Sequence, residues 1–123
     1  MKNTITWFEI NVSNLKQAMQ FYNHVLQIEM KFLDLDVAES MAFFPDDGVN
    51  GALVEEEGYV APEHSGVMLY FDGSSGIDPY LKRVEEAGGS VVVHRTIIAD
   101  EIGCWAAFED IDGNVLAFYE PTK

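Results

Sequence analysis

The chain has 123 residues, 48% of them hydrophobic, enough for one continuous core and consistent with a single domain over 1–123. Its 7 basic against 21 acidic residues give a formal charge of −14, so the summed field repels phosphates and anionic lipid; neither a nucleic-acid nor a membrane-surface role is expected. No apolar run approaches the roughly 20 residues of a membrane-spanning helix, and the N-terminus has no basic segment leading into an apolar stretch and cleavage site, so a cytoplasmic protein is expected.

In chain order, Thr4 to Val12 alternates with a period of two: Phe8, Ile10 and Val12 fall on one face, Trp7, Glu9 and Asn11 on the other. This predicts a strand with one side on a core. Asn14 is placed to cap a helix, with Gln17 as a capping-box partner, and Leu15, Ala18, Met19, Tyr22, Val25 and Leu26 give that helix an apolar stripe to about Leu26. Strands are predicted at Ile28–Leu33, Ser40–Phe44 and, after the turn Pro45-Asp46-Asp47-Gly48, Gly51–Glu55. Glu55 to Gly58 and Ala61 to Gly66 read as a solvated connector.

The second half repeats the order. A strand is predicted at Val67–Phe71 and a helix capped by Asp78 with Pro79 at its first position. Leu81, Val84 and Ala87 form the stripe, and Gly88-Gly89 supplies the C-terminal cap. Ser90–His94, Gly103–Glu109 and Asn114–Tyr119 complete the strands. The intervening Arg95–Ile102 segment reads as a long loop with Asp100 and Glu101, either a lid or a solvated connection. Phe44 to Gly48 and Phe108 to Gly113 occupy matching places between the last two strands of their halves, which implies duplication. The expected class is α+β: two tandem βαβββ modules, about 1–60 and 61–123, whose paired curved mixed sheets enclose a cleft.

Val12-Ser13-Asn14-Leu15, Phe21-Tyr22-Asn23-His24-Val25-Leu26, Glu85-Glu86-Ala87-Gly88-Gly89 and Glu109-Asp110-Ile111-Asp112-Gly113-Asn114 together resemble the glyoxalase, bleomycin-resistance and extradiol dioxygenase (vicinal oxygen chelate) superfamily. Asn14, Gln27 and Ile111 stand where that pattern usually has aspartate, glycine and proline. The resemblance implies metal ligands near the start of the first strand and in the last strand of each module. Those positions fall on Trp7, Ala52, Val67 and Ala117, and none of these side chains coordinates a divalent metal. A register slip would bring Glu9 or Glu55 into consideration but would turn each strand's apolar face to water. No metal site and no cofactor are therefore expected, and metal-dependent glyoxalase or dioxygenase activity is not expected either. His24, His64 and His94 lack the paired spacing of a local zinc motif.

The remaining chemistry centres on Glu9. A carboxylate beside Trp7 in a cleft suits proton abstraction from a small carbonyl compound, or simply a bond to a polar neighbour. Asn11 is an orienting group, and Trp7, Leu69, Phe71, Val115 and Tyr119 are candidate walls. Cys104, in an apolar strand, reads as a buried structural thiol before a nucleophile. Three functions follow: a metal-free protein binding a small organic molecule between its modules, an isomerase or lyase using Glu9 as acid or base, and a drug-sequestering or regulatory binding module. The resemblance also implies a homodimer.

Overall fold

The computed structural model describes residues 4–5, 7–34, 40–46, 48–62 and 67–122. His64 and part of the connector lie outside them. The chain divides into two compact units, Met1–Val60 and Ala61–Lys123, each with its own sheet and helix.

In the first unit, β1 (Trp7–Val12) is followed by α1 (Leu15–Leu26), β2 (Lys31–Leu33), β3 (Met41–Phe43) and β4 (Asn50–Glu55). The sheet order is β1-β4-β3-β2, with β1 parallel to β4 and the other pairs antiparallel. The predicted alternation holds: Ile10 and Val12 are buried, whereas Trp7, Glu9 and Asn11 are exposed on the face away from α1. A Cβ on Gly51 would collide with the Phe8 carbonyl oxygen and ring, so glycine is what lets these two strands approach closely.

Asn14 caps α1, its Oδ1 accepting from the Gln17 amide at 3.0 Å. The buried face is Leu15, Ala18, Phe21, Tyr22 and Val25. Phe21 therefore joins the predicted stripe, while Met19 and Leu26 stay half-buried at its margin. Tyr22 meets Phe21 and Phe44 edge to face, at centroid separations of 5.0 and 6.1 Å. The strand expected from Ile28 begins only at Lys31. The Met30 amide is taken by Asn23 Oδ1 at 2.8 Å, and this helix-end contact replaces a ladder bond.

Gln27 ends α1 in the left-handed conformation, at φ 55° and ψ 51°, and is the only non-glycine with positive φ among the described residues. A Cβ in that region costs about 1 kcal/mol. Gln27→Gly is therefore expected to raise the unfolding free energy by somewhat under about 1 kcal/mol, because the Gln27 amide bond to the His24 carbonyl is lost with the side chain. Urea denaturation checks this, and an unchanged or lower midpoint would show that the side-chain bond outweighs the backbone strain.

The second unit comprises β5 (Tyr70–Asp72), α2 (Ile77–Glu86), β6 (Ser90–Ala99), β7 (Gly103–Glu109) and β8 (Val115–Pro121). Its order, β5-β8-β7-β6, repeats that of the first sheet, and β5 is again parallel to β8. Two tandem βαβββ modules with mixed four-stranded sheets are thus established. Phe118 sits at the centre of the second core, 4.8 Å from Tyr80 on α2, 5.2 Å from Phe108 and 5.9 Å from Phe71 between ring centroids.

Three local expectations are corrected here. The strand predicted from Val67 pairs only from Tyr70, and Val67 itself is 74% exposed. The helix predicted from Asp78 starts at Ile77, and its Gly76 N-cap offers no side-chain bond. Glu120 supplies the acceptor instead, the Ile77 amide donating to its Oε1 at 3.1 Å. Glu55 does the same for α1, accepting from the Leu15 amide at 2.8 Å, so each module's last strand provides a carboxylate to its helix start. Finally, Arg95–Ala99 is not a loop. It continues β6 and pairs with β7 through several register shifts, leaving a short turn at Asp100–Ile102. Arg95 is held there by Glu120, with nitrogen–oxygen distances of 3.2 and 3.1 Å, and these bonds push the guanidinium further toward its charged form. No lid remains in this stretch.

Two turns match their sequence signals. Gly88, at φ 97°, and the Gly89 amide on the Val84 carbonyl close α2. In the Glu109–Asn114 hairpin, Asp110 is 4% exposed and accepts from the Asp112 and Asn114 amides and from the Asn114 side chain at 2.8, 2.9 and 3.0 Å.

Candidate functional site

In each unit one sheet face carries the helix and the other does not. Registry across the strands determines which side chains share the helix-free face. In the first unit Glu9 lies opposite Ala52, which lies opposite Phe43, which lies opposite Lys31. Trp7 is opposite Asn50, and Asn11 is opposite Val54. The Trp7 ring packs 5.7 Å from Phe43, and its indole Nε1 donates to Glu9 Oε2 at 3.1 Å. Glu9 is thus oriented by an aromatic donor above a small alanine. Phe43 is a part of this face that single-strand periodicity does not reveal.

In the second unit Tyr70, Ala117, Ala107 and Val93 form the equivalent row, and Asp72, Tyr119, Trp105 and Thr96 the next. Tyr119 donates its hydroxyl to the Ile102 carbonyl, which ties the predicted wall residue to the β6–β7 turn. Val115 is half-buried opposite Glu109 on the same face. Asp72 accepts from the Ser74 amide at 2.9 Å, and its hydrogen bonds to Ser74 hold its carboxyl below the usual carboxylate range.

The faces of Leu69 and Phe71 are corrected. Phe71 packs against Phe108 and Phe118 in the helix-side core, and Leu69, two residues earlier in the period-two chain, accompanies it. Tyr70, 55% exposed, and Asp72 take the helix-free face in their place. The alternation was displaced by one residue because Val67-Met68-Leu69-Tyr70-Phe71 is apolar on both faces, and only pairing with β8 decides between them.

The same registry tests the family's metal positions. Ala52 pairs with Glu9 and Ala117 with Tyr70, so two residues earlier Trp7 corresponds to Met68, not to Val67. Trp7, Ala52, Met68 and Ala117 offer no carboxylate, imidazole or amide donor, and the neighbouring Glu9 is a lone carboxylate. These residues do not fit a divalent metal centre. Elsewhere, no group of three or more His, Cys, Asp or Glu side chains suited to a metal occurs among the described residues. His24 and His94 are exposed, and Cys104 is buried at 7% exposure. A separate groove of about 640 Å³ flanks α1 near Leu15, Met19, Phe32 and Glu55; none of the predicted site residues lines it.

The family model for the Glyoxalase/Bleomycin resistance protein/Dioxygenase superfamily matches residues 4–118, and the chain belongs to that superfamily. No curated protein matches it. Among solved structures, a glyoxylase/bleomycin resistance protein/dioxygenase domain from Frankia sp. EAN1pec is 18% identical with a TM-score of 0.76, covering 98% of this chain and 99% of that one. A mutant fosfomycin resistance protein FosX from Listeria monocytogenes, complexed with Mn(II) and 1S,2S-dihydroxypropylphosphonic acid, is 17% identical with a TM-score of 0.71, covering 99% and 93%. TnmS3, an antibiotic binding protein from Streptomyces sp. CB03234, is 21% identical with a TM-score of 0.66, covering 98% and 97%. No helix among the described residues is long and apolar enough to cross a membrane.

Proposed function

We propose that this chain is a small-molecule-binding member of the superfamily that works without the family's metal centre, using the helix-free faces of its sheets as the binding surface. The supporting observation is the pairing of Glu9 with Ala52 and of Tyr70 with Ala117, which leaves alanines at both last-strand positions where a ligand set is implied. Trp7, Phe43 and Asn11 on one face and Tyr119 and Val115 on the other are its apolar and polar contacts. TnmS3 is described as an antibiotic binding protein, and this agrees with a binding role, including sequestration of a drug-like molecule.

A second reading, an isomerase or lyase acting on a small carbonyl compound, draws on one observation. The Trp7 bond to Oε2 orients the Glu9 carboxylate, as an acid or base requires. Elemental analysis of protein purified without added metal and then mildly chelated is expected to find divalent ions far below one per chain; a retained stoichiometric ion would overturn the proposal. Glu9→Gln separates the two readings. Weakened ligand binding with no turnover in either protein supports a binder, and lost turnover at retained affinity supports proton chemistry.

A further inference from the structure

The Trp7–Glu9–Phe43 face points to a particular ligand class. We propose that it selects an organic cation, an ammonium group carried on a flat apolar body. This inference rests on the small-molecule-binding reading above and deepens it.

Three features of the face carry the inference. Glu9 Oε2 is fixed by the Trp7 indole, while Oε1 has no hydrogen-bond partner among the described residues, so one carboxylate oxygen remains for an incoming donor. Trp7, 41% exposed, and Phe43 set two tilted rings 5.7 Å apart beside that carboxylate. Aromatic faces attract a cation through their quadrupole and also stack on an apolar ring, so carboxylate and rings favour the same ligand. Ala52, in register between Glu9 and Phe43, adds almost no bulk to the floor.

Among the described residues the basic one on this face, Lys31, lies three strands from Glu9, each step spanning about 4.8 Å, too far to neutralise it. The net charge of −14 adds a long-range field that draws cations in and repels anions. Among the described residues a bare divalent metal finds one carboxylate on this face and no second carboxylate or imidazole, whereas an organic cation needs only one carboxylate when aromatic faces supply the rest.

The test uses 2-phenylethylammonium, 2-phenylethanol and phenylacetate, which share a phenylmethyl group and carry charges of +1, 0 and −1. Binding is measured by calorimetry and by indole fluorescence, with Trp105→Phe isolating the Trp7 signal. The ammonium is expected to bind about tenfold more tightly than the alcohol, with phenylacetate weakest. Glu9→Gln, an isosteric change at an exposed position, is expected to lower the ammonium's affinity about tenfold and so remove that preference. Equal or tighter binding of the alcohol overturns the inference, as does a cation preference that survives in Glu9→Gln. Absence of binding by all three at about 10 mM also overturns it. Nile red, a neutral apolar probe, tests the underlying reading separately: binding that Phe43→Ala weakens keeps that reading, and no binding removes it.

Discussion

Phe118→Ala is expected to lower the unfolding free energy by about 4 kcal/mol, near the upper part of the range for removing a buried aromatic ring. The Phe118 ring is fully buried and lies between Tyr80 of α2 and Phe71 and Phe108 of the sheet. Its removal takes away transfer free energy and leaves a void lined by rigid rings that collapse poorly into it. Phe118→Leu keeps most of the volume and is expected to cost about 1.5 kcal/mol. Urea denaturation followed through Trp105, which lies on the neighbouring strand, measures both. Equal losses in the two variants would mean that shape, and not volume, dominates the site.

Asp110→Ala is expected to cost about 3 kcal/mol for a different reason. The carboxylate is buried and gathers three donors of the Glu109–Asn114 hairpin, two of them backbone amides. Alanine leaves those amides without their charged acceptor, although their half-buried positions let water recover part of the loss. Asp110→Asn retains one acceptor oxygen but turns an amide donor toward the Asn114 side chain, and about half the loss is expected. Amide exchange at Asp112 and Asn114 should quicken in step with the stability change. A loss below about 1 kcal/mol for alanine would show that water substitutes for the carboxylate.

The fold was legible wherever a local pattern sufficed. Phe8, Ile10 and Val12 announce a one-sided strand, Asn14 announces a helix start, and Gly88-Gly89 announces a helix end; each depends on residues within a few positions. What was not legible depended on partners distant in sequence. Arg95 looks like a loop residue until Glu120 holds it, and β6 crosses its bulges only because β7 lies alongside. The start of α2 was misplaced for the same reason, since its acceptor comes from β8. That Trp7 and Glu9 share the face away from α1 followed from period two alone. Phe43 and Tyr70 join their faces only through cross-strand registry, which one strand's alternation does not contain.

The carboxylates of Glu55 and Glu120 bear on how each module comes apart. A helix's opening amides are ordinarily its weakest part and fray without disturbing their surroundings. Here the Leu15 and Ile77 amides are bonded to the strand at which each sheet's parallel and antiparallel halves meet. Detaching the α1 start takes a donor from Glu55, whereas Glu120 keeps Arg95 when the α2 start detaches; opening β4 or β8 takes the acceptor from the helix as well. Helix start and closing strand are thereby coupled in each half, and opening of β4 or β8 is expected to quicken amide exchange at Leu15 or Ile77 as well.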